Sequence, residues 1–184
     1  MGKTGLSEKD ALNLDIDYEC VTIGARNIPK HFPNSDYDAI KLIARKSDRK
    51  VIGLQAFGKG PIDKYVDTAV AAISFGATVE DLQYLDFSYS PLFGTPITAI
   101  NLSAIVLVNK MNDVFSTISS KELYGIMNNS NVQIIDVRSK EEYALSHIPN
   151  SKNIEYLELI KPNELIDRNS NIYLVCDTVK RTYI

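Results

Sequence analysis

The period of the apolar positions changes along the chain, and each change marks an element. Leu6-Ser7-Glu8-Lys9-Asp10-Ala11-Leu12 reads as a short helix with Ser7 as its N-cap, because a hydroxyl there accepts from the free N–H groups of the first turn. Tyr18-Glu19-Cys20-Val21-Thr22-Ile23 reads as a strand. Two β-rich runs follow, Tyr37–Arg45 and Lys50–Phe57, joined by the polar Lys46-Ser47-Asp48-Arg49 at hairpin length. These runs predict an antiparallel meander. From Ile62 to Phe75, apolar residues at 62, 65, 66, 69, 70 and 73 form one helical stripe, and Gly76 supplies the stop. Thr78 caps a shorter helix through Leu82, with Glu80 and Asp81 placed to suit the positive end of its dipole. Asp86–Pro96 is irregular and rich in aromatics and prolines, and a third helix runs from about Ile97 to Met111. Strands first and helices after them predict an α+β layer, an antiparallel sheet with helices on one face.

A polar Asn112–Ser120 stretch marks a boundary, which divides the chain into domains 1–115 and 116–184. The second part predicts a helix over Ser120–Asn128, a strand over Val132–Val137, a helix over Lys140–Ser146 and a strand over Asn171–Cys176. Strand, helix, strand with long connections predicts parallel strands in an α/β unit. Cys176 then stands at a carboxyl end, where parallel sheets place their functional crevice.

Composition narrows the classes of function. With 45% hydrophobic and 23% charged residues over 184 positions, the chain can bury a core. A formal net charge of −3 leaves no basic surplus for nucleic acid or an anionic membrane surface. The longest apolar stretch, Ile100–Val108, is broken by Asn101 and Ser103 and is shorter than the roughly 20 residues that span a bilayer. Met1-Gly2-Lys3-Thr4-Gly5 lacks the apolar centre of a signal peptide, so a soluble, cytoplasmic protein is expected. Two distant cysteines, Cys20 and Cys176, and two distant histidines, His31 and His147, predict neither a disulfide framework nor a metal site.

Cys176-Asp177-Thr178-Val179-Lys180-Arg181 carries the candidate chemistry. A thiol leaving a parallel strand for a turn meets backbone N–H groups, and Arg181 adds a fixed positive charge, both of which favour the nucleophilic thiolate. A buried cysteine that merely ends a strand is the simpler alternative. Upstream, Asp136-Val137-Arg138, the pair Glu142-Tyr143, His147-Ile148-Pro149 and Asn153-Ile154 precede the cysteine in order. This succession resembles the rhodanese (sulfurtransferase) domain. The resemblance implies catalytic roles for Cys176, Arg181 and Asp136, with Cys176 carrying sulfane sulfur as a persulfide and a six-residue loop sized for sulfur. Val179-Lys180 replace a common loop glycine, and Ser146 and Asn150 stand where the family often has glycine. The chain stops eight residues after Cys176, so a C-terminally truncated domain is expected, with negligible thiosulfate:cyanide turnover.

The first part resembles the C-terminal dimerisation domain of FAD-dependent pyridine nucleotide-disulfide oxidoreductases. The resemblance rests on Gly5–Ala11, on Lys50–Lys64 with its Gly53-Leu54-Gln55-Ala56-Phe57-Gly58-Lys59-Gly60, and on Thr78–Leu82 through Leu85–Phe93. Its coenzyme A-disulfide reductase and NADH oxidase branch implies a homodimer and a catalytic, coenzyme-binding role for Tyr89 in Ser88-Tyr89-Ser90-Pro91. A second family tyrosine position is occupied by His31, and Lys59 and Lys64 are candidate contacts to a coenzyme A pyrophosphate. FAD, NAD(P)H and coenzyme A are implied for a parent enzyme, and none of them for this chain alone, which lacks a Gly-x-Gly-x-x-Gly segment. The expectation is thus the C-terminal part of a flavoprotein coenzyme A-disulfide or persulfide reductase, acting on small sulfur-containing substrates. A free-standing sulfurtransferase with an accessory domain and a non-catalytic interaction module stay open as alternatives.

Overall fold

In the computed structural model, which describes residues 1–159, 161, 164–177 and 181–182, the chain divides into two units, Met1–Ser116 and Thr117–Ile184. The first contains β1 (Gly2–Gly5), α1 (Glu8–Asn13), β2 (Tyr18–Arg26), β3 (Tyr37–Arg45), β4 (Val51–Phe57), α2 (Ile62–Ser74), α3 (Val79–Gln83) and α4 (Ala99–Met111). Its four strands form one antiparallel sheet in the order β1-β4-β3-β2.

Alternation along β3 explains how this sheet packs. Asp38, Ile40 and Leu42 are buried while Tyr37 and Ala39 are exposed, since successive side chains leave a strand on opposite sides. Ile40 pairs with Ala56 and Leu42 with Leu54. Gly2, opposite Ala56, faces Val66 and Ile62 of α2, so this side of the sheet is the one that α2 covers. Ile43 points the other way and packs with Ala11 of α1 and Ile52. The helix layer therefore gains a small partner on the opposite side. α4 starts at Ala99, two residues past the predicted Ile97, behind the N-cap Thr98, whose hydroxyl accepts from Asn101 N. The Asn101 amide donates to the carbonyls of Leu82 and Leu85 at 3.1 and 3.0 Å, which ties α4 to the end of α3.

The second unit contains α5 (Ser120–Ile126), β5 (Val132–Asp136), α6 (Lys140–Leu145), β6 (Lys152–Asn153) and β7 (Asn171–Val175). Its strands are parallel in the order β6-β5-β7. Central β5 buries Gln133, Ile134, Ile135 and Asp136, the continuous burial that a parallel strand requires. Ile135, Val137 and Ile154 form its core, with Leu159, Ile166 and Cys176 packed against them. α5, β5, α6 and β7 each end one or two residues short of the predicted spans. No helix among the described residues is long and apolar enough to cross a membrane.

Candidate functional site

Register along the parallel sheet brings the two rhodanese-like signatures together. Asp136 pairs with Val175, and Val137 N donates to Val175 O at 3.0 Å. Asp136-Val137-Arg138 and Cys176-Asp177 therefore leave the same edge of the sheet side by side. Cys176 is half-buried against Ile135, Val137 and Ile154, and its Sγ lies 3.7 Å from Thr182 Oγ1. Thr178, Val179 and Lys180 lie outside the described residues.

Around the loop, two guanidinium groups alternate with three carboxylates. Asp136 is fully buried and accepts from Arg138 Nε at 3.0 Å and Nη2 at 2.7 Å. A buried carboxylate needs such a partner. Arg138 Nη1 reaches on to Asp177 Oδ1 at 3.1 Å, and the hydrogen bonds it donates to Asp136 push the Arg138 pKa up. Arg181 Nη2 lies 3.5 Å from Asp177 Oδ2. Its fork donates to Glu142, Nη1 to Oε2 at 2.6 Å and Nη2 to Oε1 at 2.8 Å. The Arg181 hydrogen bonds, followed by one from Ser139 N, lower the Glu142 carboxyl pKa to about 2. Cys176, Arg181 and Asp136 thus belong to one cluster. In it the Asp136 carboxylate is turned to Arg138, and Arg181 is turned to Glu142 and Asp177.

The sequence motif includes Arg138 and Glu142, but sequence reasoning gave neither a role in the site. Ser139-x-x-Glu142 is a capping box in the structure, and that local role alone accounts for a glutamate there. Asn150 adopts φ +65°, a conformation that glycine takes without cost, whereas Ser146 is extended at φ −168° and needs none. The family glycine preference therefore has a backbone reason at 150 and none at 146.

Of the first-unit candidates, Tyr89 and Lys59 lie on loops and Lys64 in the first turn of α2. Tyr89 is 51% exposed, on the irregular segment between α3 and α4, just before a turn closed by Phe93 N donating to Ser90 O at 2.9 Å. Lys59 pairs with Asp36 at 3.0 Å, and the Lys64 ammonium lies 5.9 Å from the centre of the Phe87 ring. Two clefts share Asn27, Pro61 and Phe93; Lys64 lines one and Lys59 the other. A further charge went unnoticed in the sequence: Asp38 is fully buried beneath the Gly58–Gly60 loop. Its Oδ1 accepts from Gly60 N at 2.9 Å and its Oδ2 from the Tyr65 hydroxyl at 3.4 Å. Burial, then the Asp38 charge, pushes the Tyr65 pKa up. Cys20 is inert by the same logic, its thiol raised to about 12 by burial and by the Glu8 carboxylate.

Residues 1–99 match the model of the pyridine nucleotide-disulphide oxidoreductase dimerisation domain, and residues 119–184 match that of the rhodanese-like domain. The chain is 30% identical over 93 residues to the CoA-dependent NAD(P)H sulfur oxidoreductase of Pyrococcus furiosus, covering 50% of this chain and 21% of that protein. Among solved structures it is similar to Bacillus anthracis CoADR-RHD, at 32% identity and TM-score 0.92, covering 98% of this chain and 32% of that one. A NAD-dependent persulfide reductase from A. fulgidus gives 30% identity and TM-score 0.88, with the same coverage. The chain therefore spans between a fifth and a third of the length of these proteins.

Proposed function

Because the chain belongs to the pyridine nucleotide-disulphide oxidoreductases through its dimerisation domain, we propose that it serves a flavoprotein coenzyme A-disulfide or persulfide reductase. In this reading it supplies that enzyme's self-association and a sulfur-accepting thiol. The observation that carries the reading is the succession of a dimerisation domain and a rhodanese-like domain in one chain, with Cys176 at the sheet edge beside Asp136-Val137-Arg138.

The chemistry of the second unit is sulfane transfer. The Cys176 thiolate attacks the outer sulfur of a persulfide R–S–SH; an Sγ–S bond forms, the S–S bond breaks, and R–S⁻ departs with the electron pair. The proton first held by the thiol ends on that leaving group, so no outside oxidant or reductant is consumed. Arg181, held at the loop end by Glu142 and Asp177, supplies positive charge close to the reacting sulfurs.

The first unit serves association. Tyr84, Leu85, Tyr89, Leu92, Phe93 and Ile97 are exposed within one short segment, and apolar surface of that kind calls for a partner, here a second copy of the chain. FAD and NAD(P)H would act elsewhere in the enzyme. This chain contains no Gly-x-Gly-x-x-Gly turn with which to seat a dinucleotide. Coenzyme A is the candidate carrier of the substrate sulfur, with Lys59 and Tyr89 available on loops and Lys64 in the first turn of α2. Cys20 and Cys176, neither of them in a disulfide, suit a reducing, cytoplasmic setting. Peptide mass mapping after exposure to glutathione persulfide tests the sulfur-accepting role: one added sulfur on the Cys176 peptide supports it, and an unmodified Cys176 refutes it.

A further inference from the structure

The loop that opens at Cys176 is tied to the body of the second unit at both ends. At its start, Asp177 is reached by Arg138 at 3.1 Å, and Arg138 is anchored by the buried carboxylate of Asp136. At its end, Arg181 is gripped by Glu142 through two parallel hydrogen bonds. We propose that Glu142 is a positioning residue, which fixes the guanidinium of Arg181 and through it the loop that presents the sulfur-accepting thiol. This rests on the reading of Cys176 given above.

Three features separate Glu142 from an ordinary surface carboxylate. First, the contact is bidentate, and the planar fork of arginine admits only a narrow range of orientations against a carboxylate. Second, Glu142 is itself immobilised. It sits in the first turn of α6, where its Oε2 accepts from Ser139 N at 2.9 Å while Ser139 Oγ accepts from Glu142 N. The next residue, Tyr143, donates its hydroxyl to Ser151 O at 2.6 Å, which fastens the helix to the segment leading into β6. Third, Arg181 Nη2 also lies 3.5 Å from a second carboxylate, Asp177, which offers the guanidinium an alternative partner. Glu142 accepts at 2.6 and 2.8 Å against 3.5 Å for Asp177, so Glu142 is the closer partner. Without Glu142, Arg181 would fall to Asp177, drawing the loop end toward the loop start. A pair of this exposure contributes little to stability, so its larger effect is on geometry, where small displacements cost rate steeply.

The experiment measures how fast the full chain takes sulfur onto Cys176 from glutathione persulfide. The proteins compared are wild type, Glu142→Gln, Glu142→Asp, Arg181→Ala and the double variant Glu142→Gln/Arg181→Ala, with the melting temperature of each recorded alongside. Glu142→Gln should slow loading about tenfold or more with little change in melting. Glu142→Asp, which keeps the charge, should recover much of the rate. The double variant should be no slower than the worse single one, because both act through one contact. Wild-type rate in Glu142→Gln, or losses that multiply in the double variant, would overturn the proposal. If Glu142→Gln fails to fold, Glu142→Asp against Arg181→Ala decides it: equal losses in both overturn the assignment, and a milder loss in the aspartate variant upholds it. A wild type that takes no sulfur refutes the underlying reading instead, before any variant is compared.

Discussion

The carboxylate of Glu142 and the guanidinium of Arg181, 39 positions apart in sequence, meet through hydrogen bonds of 2.6 and 2.8 Å. This contact closes the loop of the second unit against the first turn of α6.

Its pH dependence follows from the direction of the shift. Folding lowers the Glu142 pKa from the ordinary 4.5 to about 2, first through the Arg181 hydrogen bonds. The stabilisation is therefore complete above the unfolded value and fades as pH falls from about 4.5 toward 2. Because the pair is partly exposed, it should amount to under about 1 kcal/mol and weaken in high salt. Urea titrations of wild type and Glu142→Gln between pH 6 and pH 2 should converge at the acid end, and parallel curves would refute the assignment.

In the first unit, the Asp38 carboxylate should be a stability residue. Asp38→Asn removes an acceptor from a buried site shared by Gly60 N and the Tyr65 hydroxyl, and should cost about 1–3 kcal/mol in chemical denaturation. Gly60→Ala should cost a similar amount, since a Cβ there would lie 2.0 Å from Asp38 Oδ2. Unchanged denaturation midpoints would contradict the packing described here.

Much of this arrangement is legible in the sequence, and the gaps have physical causes. The β2–β4 meander follows from alternation, and the N-caps Ser7 and Thr78 are present as hydroxyl acceptors. β1 escapes such reading because Gly2-Lys3-Thr4-Gly5 has no apolar residue; it exists through pairing with β4. β6, two residues long, owes its place to β5. Asp38 could have been found, since it keeps phase with Ile40 and Leu42 on the buried side of β3. Glu142 could not, because its partner is distant in sequence and its capping role already satisfies the local pattern.

Asn150 offers a clean backbone test. At φ +65° a β-carbon is strained, so Asn150→Gly should be neutral within a few tenths of a kcal/mol, whereas Asn150→Ala should lose about 1 kcal/mol. Equal melting temperatures for the two variants would refute the left-handed conformation.

Association should depend on the exposed segment between α3 and α4. Light scattering at micromolar concentration should give twice the chain mass, and Leu92→Ser/Phe93→Ser should raise the dimer dissociation constant about tenfold or more. A wild type of single-chain mass at every concentration would sink the homodimer.

The most direct test of the account concerns Cys176. The full chain and its Cys176→Ser variant are incubated with glutathione persulfide, and the cysteine peptides are weighed by mass spectrometry after alkylation. One added sulfur is expected on the Cys176 peptide of the wild type, none on Cys20, whose thiol burial holds protonated, and none anywhere in the variant. An unmodified Cys176, or sulfur spread equally over both cysteines, would contradict it.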